Sequence, residues 1–101
     1  MDIISSIIAR EQMRNENLTA IYLKELDCLP KGSIKTKCVN GNNYFYLNYR
    51  DGKKIISKYI GKDEQSLRNI NEKLERRKQI ESIIKKLKEE LIQIKKVEAK
   101  L

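Results

Sequence analysis

Hydrophobic and polar residues alternate with a period of two between Ser33 and Ile60. Asn40-Gly41 and Asp51-Gly52 interrupt this alternation. Both dipeptides favour β-hairpin turns, because a type I′ turn needs positive φ at its two central residues. The pattern therefore predicts three antiparallel strands joined as a meander.

A two-residue turn at Asn40-Gly41 would set the register of the first hairpin, with Lys37 opposite Tyr44 and Ile34 opposite Leu47. One face of the sheet, called the inner face, then carries Ile34, Thr36, Cys38, Phe45, Leu47 and Tyr49. The other, called the outer face, carries Lys35, Lys37, Tyr44, Tyr46, Asn48 and Arg50.

The second hairpin has two readings, which place different third-strand residues on the outer face. A two-residue turn places Lys53, Ile55, Ser57 and Tyr59 there. A three-residue turn with a glycine bulge places Lys54, Ile56 and Lys58 there. We prefer the second reading, because it buries Ile55 and leaves Lys54 and Lys58 in water.

Helical periodicity flanks the strands on both sides. It predicts a helix from about Ile3 to Leu29, in which the polar run near Asn15 is either an exposed bridge or a break. No glycine or proline interrupts residues 63–101, and Asp63 can cap a single long helix there. The predicted fold class is α+β, with an N-terminal helical segment (1–29), a three-stranded β-meander (30–62) and a long, coiled-coil-like C-terminal helix (63–101).

The C-terminal helix carries two apolar stripes of different phase. Leu67, Ile70 and Leu74 are spaced to pack on the sheet, and a second seam consists of Ile80, Ile84, Leu87, Leu91 and Ile94. Either the N-terminal helix or a second copy of the chain could cover this seam. Its width favours the N-terminal helix for at least part of the cover, with a homodimer built on top.

Charge is concentrated in the predicted sheet. The chain has a net charge of +8, and residues 31–62 contain eight basic side chains against one acidic side chain, Asp51, a net charge of +7. A polyanion is the natural partner for such a segment, because neutralising phosphates releases condensed counterions. DNA or RNA is therefore the expected partner.

The outer face offers the side chains that nucleic acid requires. Lysine meets phosphates, arginine and asparagine reach base edges, and tyrosine stacks on an unpaired base or bonds a phosphate. The predicted binding residues are Lys35, Lys37, Tyr44, Tyr46, Asn48, Arg50, Lys54 and Lys58. The alternative is an ordinary solvated face, on which tyrosines pack against lysine stems.

Several classes of function have no support in the composition. The chain has no histidine, no glycine-rich phosphate loop and two cysteines ten residues apart, Cys28 and Cys38. We therefore expect no enzyme activity, no metal and no cofactor, and we expect reduced, half-buried thiols. No signal peptide or membrane-spanning run is visible, so the expected location is the cytoplasm.

The stretch from Leu29-Pro30-Lys31-Gly32-Ser33 through Tyr49-Arg50-Asp51-Gly52-Lys53 to Tyr59-Ile60-Gly61-Lys62, followed by a charged helix, resembles an uncharacterised family of small prokaryotic domains. The order of three strands and a helix also resembles AP2-type and integrase arm-type DNA-binding domains. Those domains lay a three-stranded sheet in the major groove. That resemblance implies that Lys35, Lys37, Tyr44, Tyr46, Asn48 and Arg50 would face the groove.

We therefore expect a small non-enzymatic nucleic-acid-binding accessory or regulatory protein, from a phage or another mobile element. The competing hypothesis is a protein-interaction module, such as an inhibitor of a nuclease complex of the anti-CRISPR kind. Such a module would dock its partner through the long helix.

Overall fold

The computed structural model describes residues 2–101. The elements are α1 (Ile3–Asp27), β1 (Ser33–Val39), β2 (Asn42–Asp51), β3 (Lys54–Gly61) and α2 (Glu64–Ala99). The predicted α+β class, the antiparallel meander with β2 at its centre and the long last helix are all confirmed. The chain divides into two compact units: a helical unit, formed by the residues up to Cys28 together with Lys78–Leu101, and a sheet unit, Leu29–Arg77.

Both helices begin at an aspartate. The carboxylate of Asp2 accepts a hydrogen bond from the backbone N–H of Ser5 at 2.7 Å, which lowers the pKa of Asp2. A hydrogen bond from the Ser66 side chain lowers the pKa of Asp63 in the same way. A lowered pKa means that folding favours the ionised carboxylate. Both caps therefore stabilise the folded state above pH 3.8, and this stabilisation is lost as the pH falls through the folded pKa.

α1 is uninterrupted, and this answers the question that the polar run near Asn15 leaves open. Asn15 is only 1% exposed, and its side-chain Nδ2 donates to the backbone carbonyl of Leu87 at 2.8 Å. The Thr19 hydroxyl donates to the Asn15 carbonyl at 2.9 Å. Of the two alternatives, the break is wrong. The run is a helical bridge that is largely exposed, except that Asn15 is buried inside the helical unit.

The core of the helical unit is formed by the second seam of α2. Ile80, Ile84 and Leu87 are buried, and Leu91 and Ile94 are half-buried. Arg14 of α1 reaches Glu90 of α2 at 3.2 Å beside this seam. Of the two covers offered, the N-terminal helix is confirmed.

Ile80, Ile84 and Leu87 are already buried within one chain, so these three side chains are not exposed to a second copy. The homodimer built on top of this cover stays a prediction. α1 is tethered to α2 in the same chain and is thus present at a high effective concentration, so it occupies the seam first.

The first hairpin has the predicted register. Lys37 pairs with Tyr44 and Ile34 with Leu47. Asn40 and Gly41 form the turn with φ values of 52° and 79°, as a type I′ turn requires. The two faces predicted for β1 and β2 are therefore correct.

The preferred reading of the second hairpin is wrong. Asp51 pairs with Lys54, so the turn has two residues, Gly52 and Lys53, and only Gly52 has a positive φ, 63°. Glycine at the first central position is the signature of a type II′ turn, and Asp51 continues the strand instead of entering the turn.

This register moves every residue of β3 to the face opposite the one we preferred. Arg50 pairs with Ile55, Asn48 with Ser57 and Tyr46 with Tyr59, so these third-strand residues lie on the outer face. Lys54, Ile56 and Lys58 lie on the inner face. The chain buries Ile56 in part and leaves Ile55 70% exposed, because a one-residue shift exchanges the two faces of a strand.

The loop before β1 depends on Gly32. Its φ is 127°, and a Cβ at this position would lie 2.3 Å from the backbone oxygen of Asn48. Both the backbone conformation and the close approach of β2 therefore require glycine.

The inner face holds the core of the sheet unit. Leu47 is 4% exposed, and Phe45 lines an open cavity of about 610 Å³ together with the first turns of α2. The α2 residues of this cavity are Glu64, Leu67, Arg68, Asn71, Glu72 and Glu75. Of the first stripe of α2, Leu67 lines this cavity, and Ile70 and Leu74 are half-buried residues of the same unit. The second seam belongs to the helical unit.

Candidate nucleic-acid interface

The outer face brings together six of the eight predicted binding residues. Cross-strand pairing places Lys35 beside Tyr46 and Lys37 beside Tyr44, and strand alternation adds Asn48 and Arg50 on β2. Lys54 and Lys58 are the two exceptions. They project from the inner face, because Lys54 pairs with Asp51 and Lys58 with Leu47.

Three tyrosines form a cluster on the outer face. The ring of Tyr59 meets that of Tyr46 edge to face, with centroids 5.4 Å apart. It also meets the ring of Tyr44 at 6.5 Å in a tilted arrangement. Such pairs add roughly 0.5–1.5 kcal/mol beyond the burial of their area, so the cluster holds its rings in defined positions.

A bulge in β3 directly follows Tyr59, the residue that contacts two tyrosines of β2. Tyr46 pairs with Tyr59, but the next residue along β2, Phe45, pairs with Gly61. Ile60 is therefore the extra residue, which bends the strand and increases its twist. Tyr59 lies directly opposite Tyr46 and diagonally from Tyr44.

The cations of the outer face stand beside these rings. The ammonium of Lys37 lies 4.7 Å from the ring centroid of Tyr46, a cation–π contact. Lys35 and Arg50 are exposed. Among the described strand residues, none on the outer face is acidic, because Asp51 lies on the inner face.

The cavity on the inner side of the sheet unit carries more acidic than basic side chains. Three of the seven residues that line its cavity are glutamates, Glu64, Glu72 and Glu75, against a single Arg68. This cavity is therefore less suited to a phosphate than the outer face, although Lys54 and Lys58 also project from the inner face.

Asn48 is presented differently from the prediction. The residue is half-buried at the centre of the sheet, and its Oδ1 atom is enclosed without a hydrogen-bond partner among residues 2–101. An enclosed oxygen cannot meet a base edge in this rotamer. Asn48 is therefore less able to hydrogen-bond to a base edge than its position on the outer face indicates.

The preferred reading of the second hairpin missed two residues of this surface, Tyr59 and Ile55, which are 52% and 70% exposed. The two-residue turn that we did not prefer places both on the outer face. The signal that could have found them is the Gly52-Lys53 dipeptide. Glycine at the first position of a two-residue loop favours a type II′ turn and places both residues on the outer face.

The other candidate features are the two cysteines, possible metal ligands and a membrane-spanning helix. Cys28 and Cys38 are unpaired and exposed, so the expectation of half-buried thiols is wrong. In the part of the chain that the structure describes, no group of three metal-ligating side chains comes together. No helix within residues 2–101 combines the length and apolarity that a membrane crossing needs.

The fold and this surface define a small α+β protein with a basic, tyrosine-bearing sheet. The chain belongs to the family of the domain of unknown function DUF6788, whose model matches residues 7–69. The match spans most of α1, the whole sheet and the first turns of α2. None of the curated proteins matches the chain, and none of the solved structures does.

Proposed function

We propose that this protein binds nucleic acid through the outer face of its sheet, as an accessory or regulatory protein without a catalytic step of its own. One observation carries the proposal. Lys35, Lys37 and Arg50 share a surface with three clustered tyrosines, and no acidic residue of the described strands lies on that surface.

Each side chain has a physical role in this proposal. Lys35 and Lys37 neutralise phosphates, and their release of counterions supplies affinity without sequence preference. Arg50, at the other end of β2 from Tyr44, reaches a phosphate or a base edge. The tyrosines supply flat apolar surface that solvated lysines alone do not offer.

A salt titration tests the proposal. Labelled DNA and RNA oligonucleotides, single-stranded and duplex, are titrated with the protein by fluorescence anisotropy at salt concentrations from about 50 to 200 mM. Three phosphate contacts predict a log–log slope of about −2.7 on duplex DNA and about −2.1 on a single strand, hence a loss of affinity of roughly 20- to 40-fold over this range.

The titration can also reject the proposal. Absence of binding to every probe at about 50 mM salt would remove nucleic acid as the partner, because electrostatic binding is strongest there. A slope near zero would show that the three cations do not contact phosphate.

A second candidate function, protein interaction, is favoured by an apolar groove on the helical unit. The groove encloses about 230 Å³ between Ile7 and Ile8 of α1 and Ile94 and Val97 of α2. Ile7 is 52% and Val97 50% exposed, so α1 covers the seam only in part. We propose that a second copy of the chain supplies the remaining cover, giving a dimer of two-helix units.

Sedimentation velocity tests this dimer. We expect the sedimentation coefficient to rise with protein concentration, and Ile7→Lys combined with Val97→Lys to abolish the rise. Ile21→Lys provides the control, because Ile21 is also an exposed apolar residue of α1 (60%) but does not line the groove. A monomer at every concentration would show that the groove has no second copy as its occupant.

A further inference from the structure

We infer that the outer face takes unpaired nucleotides, with the sugar–phosphate backbone along β1 and a base stacked on Tyr59. This inference rests on the proposed function and specifies its ligand as single-stranded nucleic acid. It derives from how charge and aromatic surface are divided between the strands.

The outer face has a cationic edge and an apolar edge. β1 contributes Lys35 and Lys37, whereas β3 contributes Ile55, Ser57 and Tyr59 and no charge. β2 lies between them and carries Tyr44 and Tyr46. The two edge strands are about 9.6 Å apart, two inter-strand spacings, so a backbone held on β1 would extend its bases over β2 toward β3.

Tyr59 is the ring best placed to receive a base. Tyr44 and Tyr46 are half-buried, and the ammonium of Lys37 stands over the Tyr46 ring. Tyr59 is 52% exposed, and Tyr46 meets it edge to face, which leaves ring surface open to the solvent. The contacts with Tyr44 and Tyr46 hold the ring in place, so little side-chain entropy remains to be lost on binding.

A duplex does not match this arrangement. Its bases are already stacked on each other, so their faces are closed to tyrosine, and only their edges are presented in the grooves. Groove reading rewards arginine, asparagine and glutamine at the surface, but this face has one arginine and an asparagine whose Oδ1 is enclosed. Exposed Ile55 and Tyr59 are instead the surface that an unstacked base covers.

The test compares three variants of the full chain on one single-stranded DNA, the RNA of the same sequence and the matching DNA duplex. Tyr59→Leu keeps an apolar side chain but removes the ring. Tyr59→Phe keeps the ring. Lys58→Leu is the matched control. Lys58 is next to Tyr59 in the same strand, but its side chain projects from the inner face.

We expect the unchanged protein to bind a single strand more tightly than the duplex. Tyr59→Leu should weaken single-strand binding roughly 5- to 150-fold, the range that the loss of one base–aromatic stack produces, and leave the salt slope unchanged. Tyr59→Phe should restore the affinity, and Lys58→Leu should retain it. Because the chain has five tyrosines and no tryptophan, quenching of tyrosine fluorescence by the single strand reports stacking directly.

Other results would overturn the inference. Duplex binding at least as tight as single-strand binding, with Tyr59→Leu neutral, would leave the proposed function standing and remove the unpaired ligand. No binding to any of the three probes at about 50 mM salt would remove the proposed function as well. Thermal melting of each variant shows whether a loss of binding is caused by removal of the Tyr59 ring or by unfolding of the protein.

Discussion

Replacing Ile80 by aspartate is expected to unfold the helical unit. Ile80 is 0% exposed, so the substitution removes about 1.5–3 kcal/mol of apolar burial and adds a carboxylate whose effective desolvation penalty is several kcal/mol more. A small domain is stable by only about 5–15 kcal/mol. Far-ultraviolet circular dichroism should therefore show a large loss of helix at 25 °C.

The matched control is Ile92→Asp on the same helix. Ile92 is 54% exposed, and a surface substitution of this kind changes the free energy of unfolding by about 0.5 kcal/mol or less. Ile80→Ala gives a graded version, with an expected loss of about 2–5 kcal/mol in a denaturant titration. If Ile80→Asp melts like the unchanged protein, the seam between α1 and α2 is not the core of this unit.

Replacing Lys35 and Lys37 together by glutamine is expected to weaken nucleic-acid binding strongly. Each lysine that contacts a phosphate contributes about 0.9 to the log–log salt slope on duplex DNA, so the slope should fall by about 1.8. At about 0.1 M salt this corresponds to a loss of roughly 60-fold in affinity. The measurement is the same anisotropy titration, compared with the unchanged protein.

Lys54 and Lys58 provide a control with the same change of charge. They lie on the inner face, and interactions between exposed charges are screened beyond about 8–10 Å at physiological salt. Lys54→Gln with Lys58→Gln should therefore leave the slope nearly unchanged. Equal effects of the two double variants would show that the protein binds through its overall charge, and that the outer face is not the site.

The elements that local chemistry determines were predictable from the sequence. Asn40-Gly41 adopts the two positive φ values that only a few residues tolerate, and this turn sets the register from Lys37–Tyr44 to Ile34–Leu47. The helical periods, and the absence of glycine and proline from residues 63–101, likewise predicted both helices to within a few residues of their observed ends. In each case the interactions join residues that are near one another in the chain.

The second hairpin shows where such reasoning fails. A two-residue turn and a three-residue turn with a glycine bulge are both acceptable around Gly52, and they place opposite residues of β3 on the outer face. Local preference does not decide between them. The choice depends on packing Ile56 and Tyr59 against their neighbours across the sheet. As a result, Ile55 and Tyr59 lie on the candidate site, where we had expected Lys54 and Lys58.

The sequence by itself thus determined the class of fold, the first hairpin and the concentration of positive charge in the sheet. Only the tertiary structure decided that Asn15 is buried against Leu87, that α1 covers Ile80 and that Tyr59 completes the tyrosine cluster. The physical reason is the same for all three. These contacts join residues on different elements, and their free energy comes from burying surfaces that are complementary only after the elements have packed.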